Sequence, residues 1–247
     1  MIDTKAGELA AEGKVTDTHP EADFLTRAAL IYQQSPEILG PVKGGTHAGQ
    51  AMYELLTCSD LLDVMEQLVG PEIVASSIYR LRPKLPFWEQ GIVPVHQDAG
   101  YFDSCADAST VITAWVPLME ATHEAWCMEV LPRVHNQGTM RHYNANVAGP
   151  GLAVHPDALP PALDTRMEDD GRGTVPVPCG IGDALIMYHM TPHGSSENTS
   201  GLIRWAADLR YNAPEAGDYG PGIMMRILLS FLLKLWRKGV AIYSFFA

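Results

Sequence analysis

The spacing of apolar positions along the chain changes its period near residue 73. Before that point, apolar side chains recur at intervals of three and four residues, which predicts amphipathic helices within a segment covering 20–70. The Gly70-Pro71 pair then ends the last helix, as Gly followed by Pro commonly does. The predicted helices cover 20–34, 49–57 and the stretch that starts at Ser59-Asp60. We expect them to pack against a sheet.

After residue 73, β-branched and aromatic residues alternate with others, as in half-buried strands. The clearest example, 109–118, places Val111, Thr113 and Trp115 on one face and Ile112, Ala114 and Val116 on the other. Further strands are predicted over 73–81, around residue 96, and over 126–131, 184–190 and 202–211. Many short strands separated by Gly, Pro and Asn turns predict a β-sandwich or barrel, with its core over 73–212.

The periodic pattern is lost over 138–174, where Gly, Pro and acidic residues cluster. A long connection of this kind is typical of an active-site lid or an inserted loop. We expect a lid, because the segment joins the two halves of the candidate site described below. His142 and His155 fall within it and are expected at the surface or facing a substrate.

The stretch 223–247 differs from the rest, with four basic residues, no acidic ones and an apolar run over 227–236. That run is shorter than the roughly 20 residues needed to span a bilayer. We expect a packed helix or a loosely held end, and no transmembrane segment. Residues 1–222 then form a single domain.

Charge and cysteine content narrow the class of protein. The formal net charge of −12 makes a broad nucleic-acid-binding surface improbable. The four cysteines lack Cys-x-x-Cys spacing, and residues 1–20 lack the apolar segment of a secretory signal. We expect free thiols, a cytoplasmic protein and a small-molecule partner; the oligomeric state is left open.

The sequence His96-Gln97-Asp98 is the first candidate for chemistry. Side chains two apart in a strand point the same way, so an imidazole and a carboxylate would share one side. Two histidines and one carboxylate form the facial triad of non-haem Fe(II) sites. The third ligand is expected at His193, with His189 as the competing candidate.

These motifs together resemble the phytanoyl-CoA dioxygenase family of Fe(II)/2-oxoglutarate oxygenases, over roughly 73–212. The matching features are His96-Gln97-Asp98, Tyr101-Phe102, Trp115, His193-Gly194-Ser195, Asn198 and Arg204. The resemblance implies a double-stranded β-helix, the cupin-like jelly roll, preceded by helices. It also implies Fe(II), 2-oxoglutarate and O2 as cofactor and cosubstrates.

The same resemblance implies roles for individual residues. His96, Asp98 and His193 would bind the metal, and the 2-oxoglutarate pocket would comprise Arg204, Ser195, Gln97 and Trp115. Tyr101 and Phe102 would lie on the substrate side. The expected reaction is hydroxylation of a small metabolite with release of succinate and CO2. Related halogenases lack the carboxylate ligand, so the presence of Asp98 favours hydroxylation.

Other interpretations remain open from sequence alone. Arg204 could instead pair with Asp208 along its strand, a structural role that suits Arg210 better, and Trp115 could be core. A Zn(II)-dependent hydrolase or isomerase, or an inactive binding module, could use the same fold. Succinate release that depends on Fe(II) and 2-oxoglutarate would separate these alternatives.

Overall fold

The computed structural model describes residues 1–43, 49–77, 79–102, 109–145, 151–159 and 173–214. Helices come first along the chain and strands follow, as the change of period predicts. The helices are α1 (Ile2–Ala11), α2 (Arg27–Gln34), α3 (Gly40–Lys43), α4 (Gln50–Leu56) and α5 (Ser59–Val69). Helix α1 was not predicted, because only Ala6 and Leu9 of its side chains are buried and its apolar stripe is therefore faint.

The strands are short, and every pair recorded between them is antiparallel. They are β1 (Val74–Ala75), β2 (Arg80–Leu81), β3 (Val93–His96), β4 (Val111–Pro117), β5 (Met128–Val130), β6 (His142–Asn144), β7 (Leu152–Val154), β8 (Val175–Val177), β9 (Leu185–Tyr188), β10 (His193–Ser195) and β11 (Ala206–Asn212).

Two sheets form the body of the fold. One has the order β1-β11-β4-β9 with β2 also paired to β11, and the other has the order β3-β10-β5-β8. Together they give the mainly β architecture with N-terminal helices, the double-stranded β-helix, that the sequence predicted. Its centre is the seven-residue pairing of β4 with β11.

Strand β4 explains how the core is divided. Ile112 and Ala114 belong to the cluster that includes the buried face of α5, on the outside of the first sheet. Trp115 instead packs with Val130 of β5 and Val177 of β8, between the two sheets. The predicted two-faced pattern of this strand is confirmed, and its inward face is the one that supplies the candidate site.

The predicted lid is described only in part. Strands β6 and β7 form a separate hairpin that packs along β3, whereas 146–150 and 160–172 lie outside the described residues. The 223–247 stretch and Cys105 also lie outside them. Within the described part of the chain, Cys58, Cys127 and Cys179 are free thiols. No helix among the described residues combines the length and apolar character needed to cross a bilayer.

Candidate metal centre and anion pocket

His96 and His193 lie directly opposite each other across two strands. His96 ends β3, His193 begins β10, and their Cα atoms are register partners. Their ring centroids are 4.4 Å apart. The pairing contains an irregularity beside Pro94, where a residue without an N–H is tolerated.

Asp98 joins the histidines from a different backbone element than expected. Strand β3 ends at His96, and Asp98 begins a short 3-10 turn over Asp98–Tyr101, so its placement on the strand was wrong. The turn still brings its carboxylate to the imidazoles. The candidate ligand atoms of His96, Asp98 and His193 all lie within 4.8 Å of one another, and all three residues are buried.

The tautomers of both histidines follow from their partners. The Nδ1 of His96 donates to the Pro94 carbonyl and that of His193 to the Thr191 carbonyl, each at 2.9 Å, because a carbonyl can only accept. In the neutral form of each ring, Nε2 then carries the lone pair that can bind a metal. Burial, reinforced by His193, lowers the pKa of His96 to about 4. His96 is thus neutral near pH 7, as a metal ligand must be.

The carboxylate of Asp98 is ionised despite its burial. Burial alone would raise its pKa, but the Arg210 guanidinium and the nearby imidazoles outweigh that effect and hold the pKa below its usual range. Arg210 donates to both carboxylate oxygens, at 3.0 and 3.2 Å. Thr113 donates its hydroxyl to the same group at 2.7 Å. Two imidazoles and one anionic oxygen fit a divalent first-row metal such as Fe(II).

Competing metal sites fit less well. His189 is buried but follows β9 in a turn, and it is not part of the three-residue cluster. Asp17, His19 and Glu21 form the other cluster with suitable spacing in the described part of the chain. They lie towards the surface and bond to neighbouring loop groups, which is ordinary for a polar turn.

Arg204 lies in a buried position that leaves part of its guanidinium without a partner. Its Nε and Nη1 atoms are buried and make no hydrogen bond among the described residues. Its Cζ atom lies 5.2 Å from the centre of the Trp115 ring. The alternative ion pair with Asp208 does not form, because Asp208 instead accepts from Arg82 at 2.6 Å. Burial lowers the pKa of Arg204 to about 10, which leaves it charged.

Lys84 lies beside Arg204, and sequence analysis missed it. The two residues face each other in an isolated antiparallel bridge. The Nζ of Lys84 donates to the Ser195 hydroxyl at 2.6 Å and to the Ser196 carbonyl. Burial, with added repulsion from Arg204, lowers the pKa of Lys84 to about 6. No sequence motif identifies Lys84, because residues 82–86, Arg-Pro-Lys-Leu-Pro, have the composition of an ordinary loop.

The buried carboxylate of Glu129 acts on Lys84 through its charge. Glu129 of β5 accepts from Thr174 at 3.1 Å and from Ser196 at 3.2 Å, and its charge raises the pKa of Lys84 only in part. Asn198 fixes the loop beneath, donating to the carbonyls of Lys84 and Leu202. A buried guanidinium with a free hydrogen-bonding edge, next to a buried lysine amine, is suited to an anionic ligand.

Gln97 points away from this pocket. Its side-chain nitrogen donates to the carbonyls of Gly138 and Met190, and its oxygen accepts from the Met140 N–H. Its own N–H donates to the Nε2 of His142. Gln97 therefore ties the metal-site turn to the base of the β6–β7 hairpin.

Tyr101 and Phe102 separate in the fold. The Tyr101 ring lies edge-on to His96, with centroids 5.6 Å apart, and half of the side chain is exposed. Its hydroxyl accepts from the Leu152 N–H at 2.8 Å. The Phe102 ring lies 6.2 Å from His189 instead. Only Tyr101 contacts a candidate metal ligand.

Two named proteins resemble this chain in sequence. The chain is 26% identical over 191 residues to a methylphosphonate hydroxylase of Gimesia maris, covering 76% of this chain and 64% of that protein. It is 25% identical over 169 residues to phytanoyl-CoA dioxygenase domain-containing protein 1 of Danio rerio, covering 67% and 54%. The chain thus spans less than two thirds of the length of either relative.

Solved structures with the same fold include a non-haem monooxygenase, ThoJ, with a TM-score of 0.52 at 19% identity, covering 77% of this chain and 72% of that one. The epimerase SnoN, solved with Fe3+, α-ketoglutarate and nogalamycin RO, gives a TM-score of 0.50 at 23% identity, covering 67% and 59%. The family model for phytanoyl-CoA dioxygenase (PhyH) matches residues 19–206. The chain therefore belongs to the phytanoyl-CoA dioxygenase (PhyH) family, as its motifs predicted.

Proposed function

We propose that this protein is a non-haem Fe(II)- and 2-oxoglutarate-dependent dioxygenase that hydroxylates a small molecule and releases succinate and CO2. The observation that carries the proposal is the adjacency of two sites. A buried cluster of two histidines and one carboxylate lies next to the buried amine of Lys84 and the unpartnered guanidinium edge of Arg204. A dicarboxylate that also binds a metal would engage both sites.

The two sites are linked through β10. His193 and Ser195 are two residues apart, so their side chains share a face of the strand at a spacing of roughly 7 Å. Ser195 accepts from Lys84, whose bridge partner is Arg204. One carboxylate of 2-oxoglutarate would pair with Arg204 and Lys84, and its 2-oxo acid end would reach the metal. Trp115 would close the pocket wall against water.

Metal binding would fall to the Nε2 atoms of His96 and His193 and to Asp98. When bound, Fe(II) supplies the activation of O2 that couples oxidation of 2-oxoglutarate to oxidation of the substrate. Tyr101 would stand at the substrate side, where its hydroxyl keeps a proton to donate while it accepts from Leu152. Gln97 would act by positioning the turn that carries Asp98, and Phe102 would back that turn from the His189 side.

A small molecule is the expected substrate class. The methylphosphonate hydroxylase relative acts, by its name, on a small anion, and the family name refers to an acyl-CoA thioester. Small phosphonates and acyl-CoA thioesters differ in size and charge, so the turnover of these two substrate classes should be compared first. A cytoplasmic location remains part of the proposal.

The test is anaerobic loading with Fe(II), followed by exposure to O2 with 2-oxoglutarate and a substrate panel. The panel contains small phosphonates, free amino-acid derivatives and acyl-CoA thioesters, and succinate is measured. Succinate that requires both Fe(II) and 2-oxoglutarate, with a substrate-dependent increase and a product heavier by one oxygen, is expected. Turnover with Zn(II) and without 2-oxoglutarate would instead indicate a hydrolase or isomerase. Binding without any turnover would indicate a binding module.

A further inference from the structure

Both oxygens of the Asp98 carboxylate are held by a single guanidinium. Arg210 donates from Nη2 to Oδ1 at 3.0 Å and from Nε to Oδ2 at 3.2 Å. Thr113 adds a hydroxyl donor to Oδ2 at 2.7 Å. The side chains of Arg210 and Asp98 are only 9% and 5% exposed, so water competes little for these bonds.

A count of lone pairs shows what remains for a metal. A carboxylate offers about four acceptor positions. Among the described residues, Oδ2 accepts from both Thr113 and Arg210, while Oδ1 accepts from Arg210 alone. The remaining position is on Oδ1, which is also the oxygen recorded near the Nε2 of His96, at 4.0 Å. A cation held by the two imidazoles would therefore meet one oxygen of Asp98.

Arg210 and Thr113 together form a clamp on the Asp98 carboxylate. Both residues belong to the sheet opposite the one that carries the two histidines. Thr113 on β4 and Arg210 on β11 are direct cross-strand partners. The histidines, in contrast, lie on β3 and β10 of the other sheet. Because the guanidinium is a rigid planar fork, it can fix the plane of the carboxylate, which a lysine ammonium cannot do.

We infer that Arg210 and Thr113 are positioning residues that restrict Asp98 to one metal-binding oxygen. This inference rests on the proposed function, in which the cosubstrate and O2 need open positions on the metal. Without the clamp, the second oxygen of Asp98 is free to turn towards the metal and occupy one of those positions. The clamp thus preserves a place for 2-oxoglutarate rather than strengthening the hold on the metal.

The positive charge of Arg210 leads to different expectations for metal affinity and for 2-oxoglutarate affinity. A cation bonded to a ligand carboxylate repels a second cation there, so the charge of Arg210 weakens metal binding rather than tightening it. Removing it should leave metal affinity equal or higher, while 2-oxoglutarate affinity falls. A purely structural role predicts that both affinities fall together.

The experiment uses Co(II) as the probe, with Arg210→Met, Arg210→Lys and Thr113→Val. Arg27→Met is the control, since Arg27 pairs with Asp3 on the helical part, away from the site. Co(II) affinity and the visible Co(II) bands are measured, followed by 2-oxoglutarate affinity of the Co(II)-loaded protein. For Arg210→Met we expect Co(II) affinity at least that of the wild type, changed bands and 2-oxoglutarate binding weaker by about tenfold, or 1.4 kcal/mol. Thr113→Val should shift in the same direction by less.

Wild-type bands and wild-type 2-oxoglutarate affinity in Arg210→Met would overturn the inference while leaving the proposed function intact. Parallel loss of Co(II) and 2-oxoglutarate binding would also overturn it, because that is the structural outcome. Failure of the wild-type protein to bind Co(II) or 2-oxoglutarate would overturn the proposed function itself. If Arg210→Met does not fold, Arg210→Lys and Thr113→Val decide by the same two affinities.

Discussion

His96 and His193 are register partners across β3 and β10, and the residue after His193 is a glycine whose missing side chain allows this approach. A Cβ on Gly194 would lie 2.8 Å from the Val93 carbonyl oxygen and 3.1 Å from the Val95 nitrogen. Both neighbours are backbone atoms of β3 and cannot rotate away. The pairing of the two histidines therefore depends on this glycine.

Gly194→Ala should separate β3 from β10, lower the free energy of unfolding by roughly 1–3 kcal/mol and weaken metal binding. Urea unfolding and Co(II) titration measure the two effects. Gly7→Ala is the control, since nothing lies within 4 Å of a Cβ there and alanine favours the helix by about 0.5–1 kcal/mol. Unchanged stability and metal affinity in Gly194→Ala would show that the strands tolerate the contact.

Removing a metal ligand and removing Arg204 should have different effects on metal binding and on 2-oxoglutarate binding. Replacing His96, Asp98 or His193 with Ala should lower the amount of bound metal and abolish turnover. Asp98→Gly is the informative variant, because related halogenases lack this carboxylate; it should keep some metal and lose hydroxylation. Bound metal measured after desalting would decide between these outcomes.

Arg204→Ala should keep the metal and weaken 2-oxoglutarate binding. Truncating one partner of a buried charge pair costs about 2–5 kcal/mol, or about 30-fold to several-thousand-fold in affinity. Calorimetry on metal-loaded protein measures it, with Arg82→Ala as the control because Arg82 is half exposed and pairs with Asp208. Equal 2-oxoglutarate affinity in Arg204→Ala and wild type would remove Arg204 from the pocket.

Because of Lys84, 2-oxoglutarate binding should be coupled to the uptake of a proton. Burial lowers its folded-state pKa to about 6, whereas an unfolded lysine keeps a pKa near 10.4. Between these values the unfolded chain binds more protons, so stability without ligand should rise as pH increases from about 6 to 10. An anion beside Lys84 should raise its pKa, so 2-oxoglutarate binding near pH 8 should take up about one proton.

Calorimetry in two buffers of different ionisation enthalpy would measure that uptake. Lys84→Met should abolish it and flatten the dependence of melting temperature on pH. Lys14→Met is the control, since Lys14 is exposed and pairs with Glu12 and Glu37 at the surface. Proton uptake that survives in Lys84→Met would assign it to another group.

Gln97 should stabilise the hairpin rather than bind cosubstrate. Gln97→Leu would leave the carbonyls of Gly138 and Met190 and the Met140 N–H without their partner, at roughly 1–3 kcal/mol for each group that stays buried. Reduced stability and faster proteolysis near β6–β7 are expected, with 2-oxoglutarate affinity little changed. Gln67→Leu, on the surface of α5, should change stability by no more than about 0.5 kcal/mol. Selective loss of 2-oxoglutarate binding in Gln97→Leu would restore the pocket role.

Sequence alone predicted the fold and the cluster of candidate metal ligands where a local pattern carries them. The alternation in β4 and the histidine and aspartate motifs are readable because each depends on neighbours a few residues away. Lys84 and the Arg210–Asp98 contact were not predicted, because they join residues about 111 and 112 positions apart. Arg210 was expected to be structural; its partner proved to be a candidate metal ligand, and no local pattern specifies that pairing.

The Asp98 turn shows the same limit at short range. An i, i+2 rule placed Asp98 on the strand with His96, but β3 ends at His96 and the chain turns. The carboxylate nevertheless lies beside the imidazoles and is bonded to Thr113 and Arg210 of the neighbouring sheet. Tertiary contacts overrode the local geometry while keeping the same set of side chains together.

The pairing of β3 with β10 has a consequence for how the chain folds. His96 and His193 are brought together only after the intervening 96 residues, including β4 through β9, have been traversed. Contacts of such long range form late, after the entropy of closing the loop has been lost. A metal that needs both imidazoles cannot nucleate this protein. It should slow unfolding far more than it speeds refolding, because it binds only after the two strands have paired.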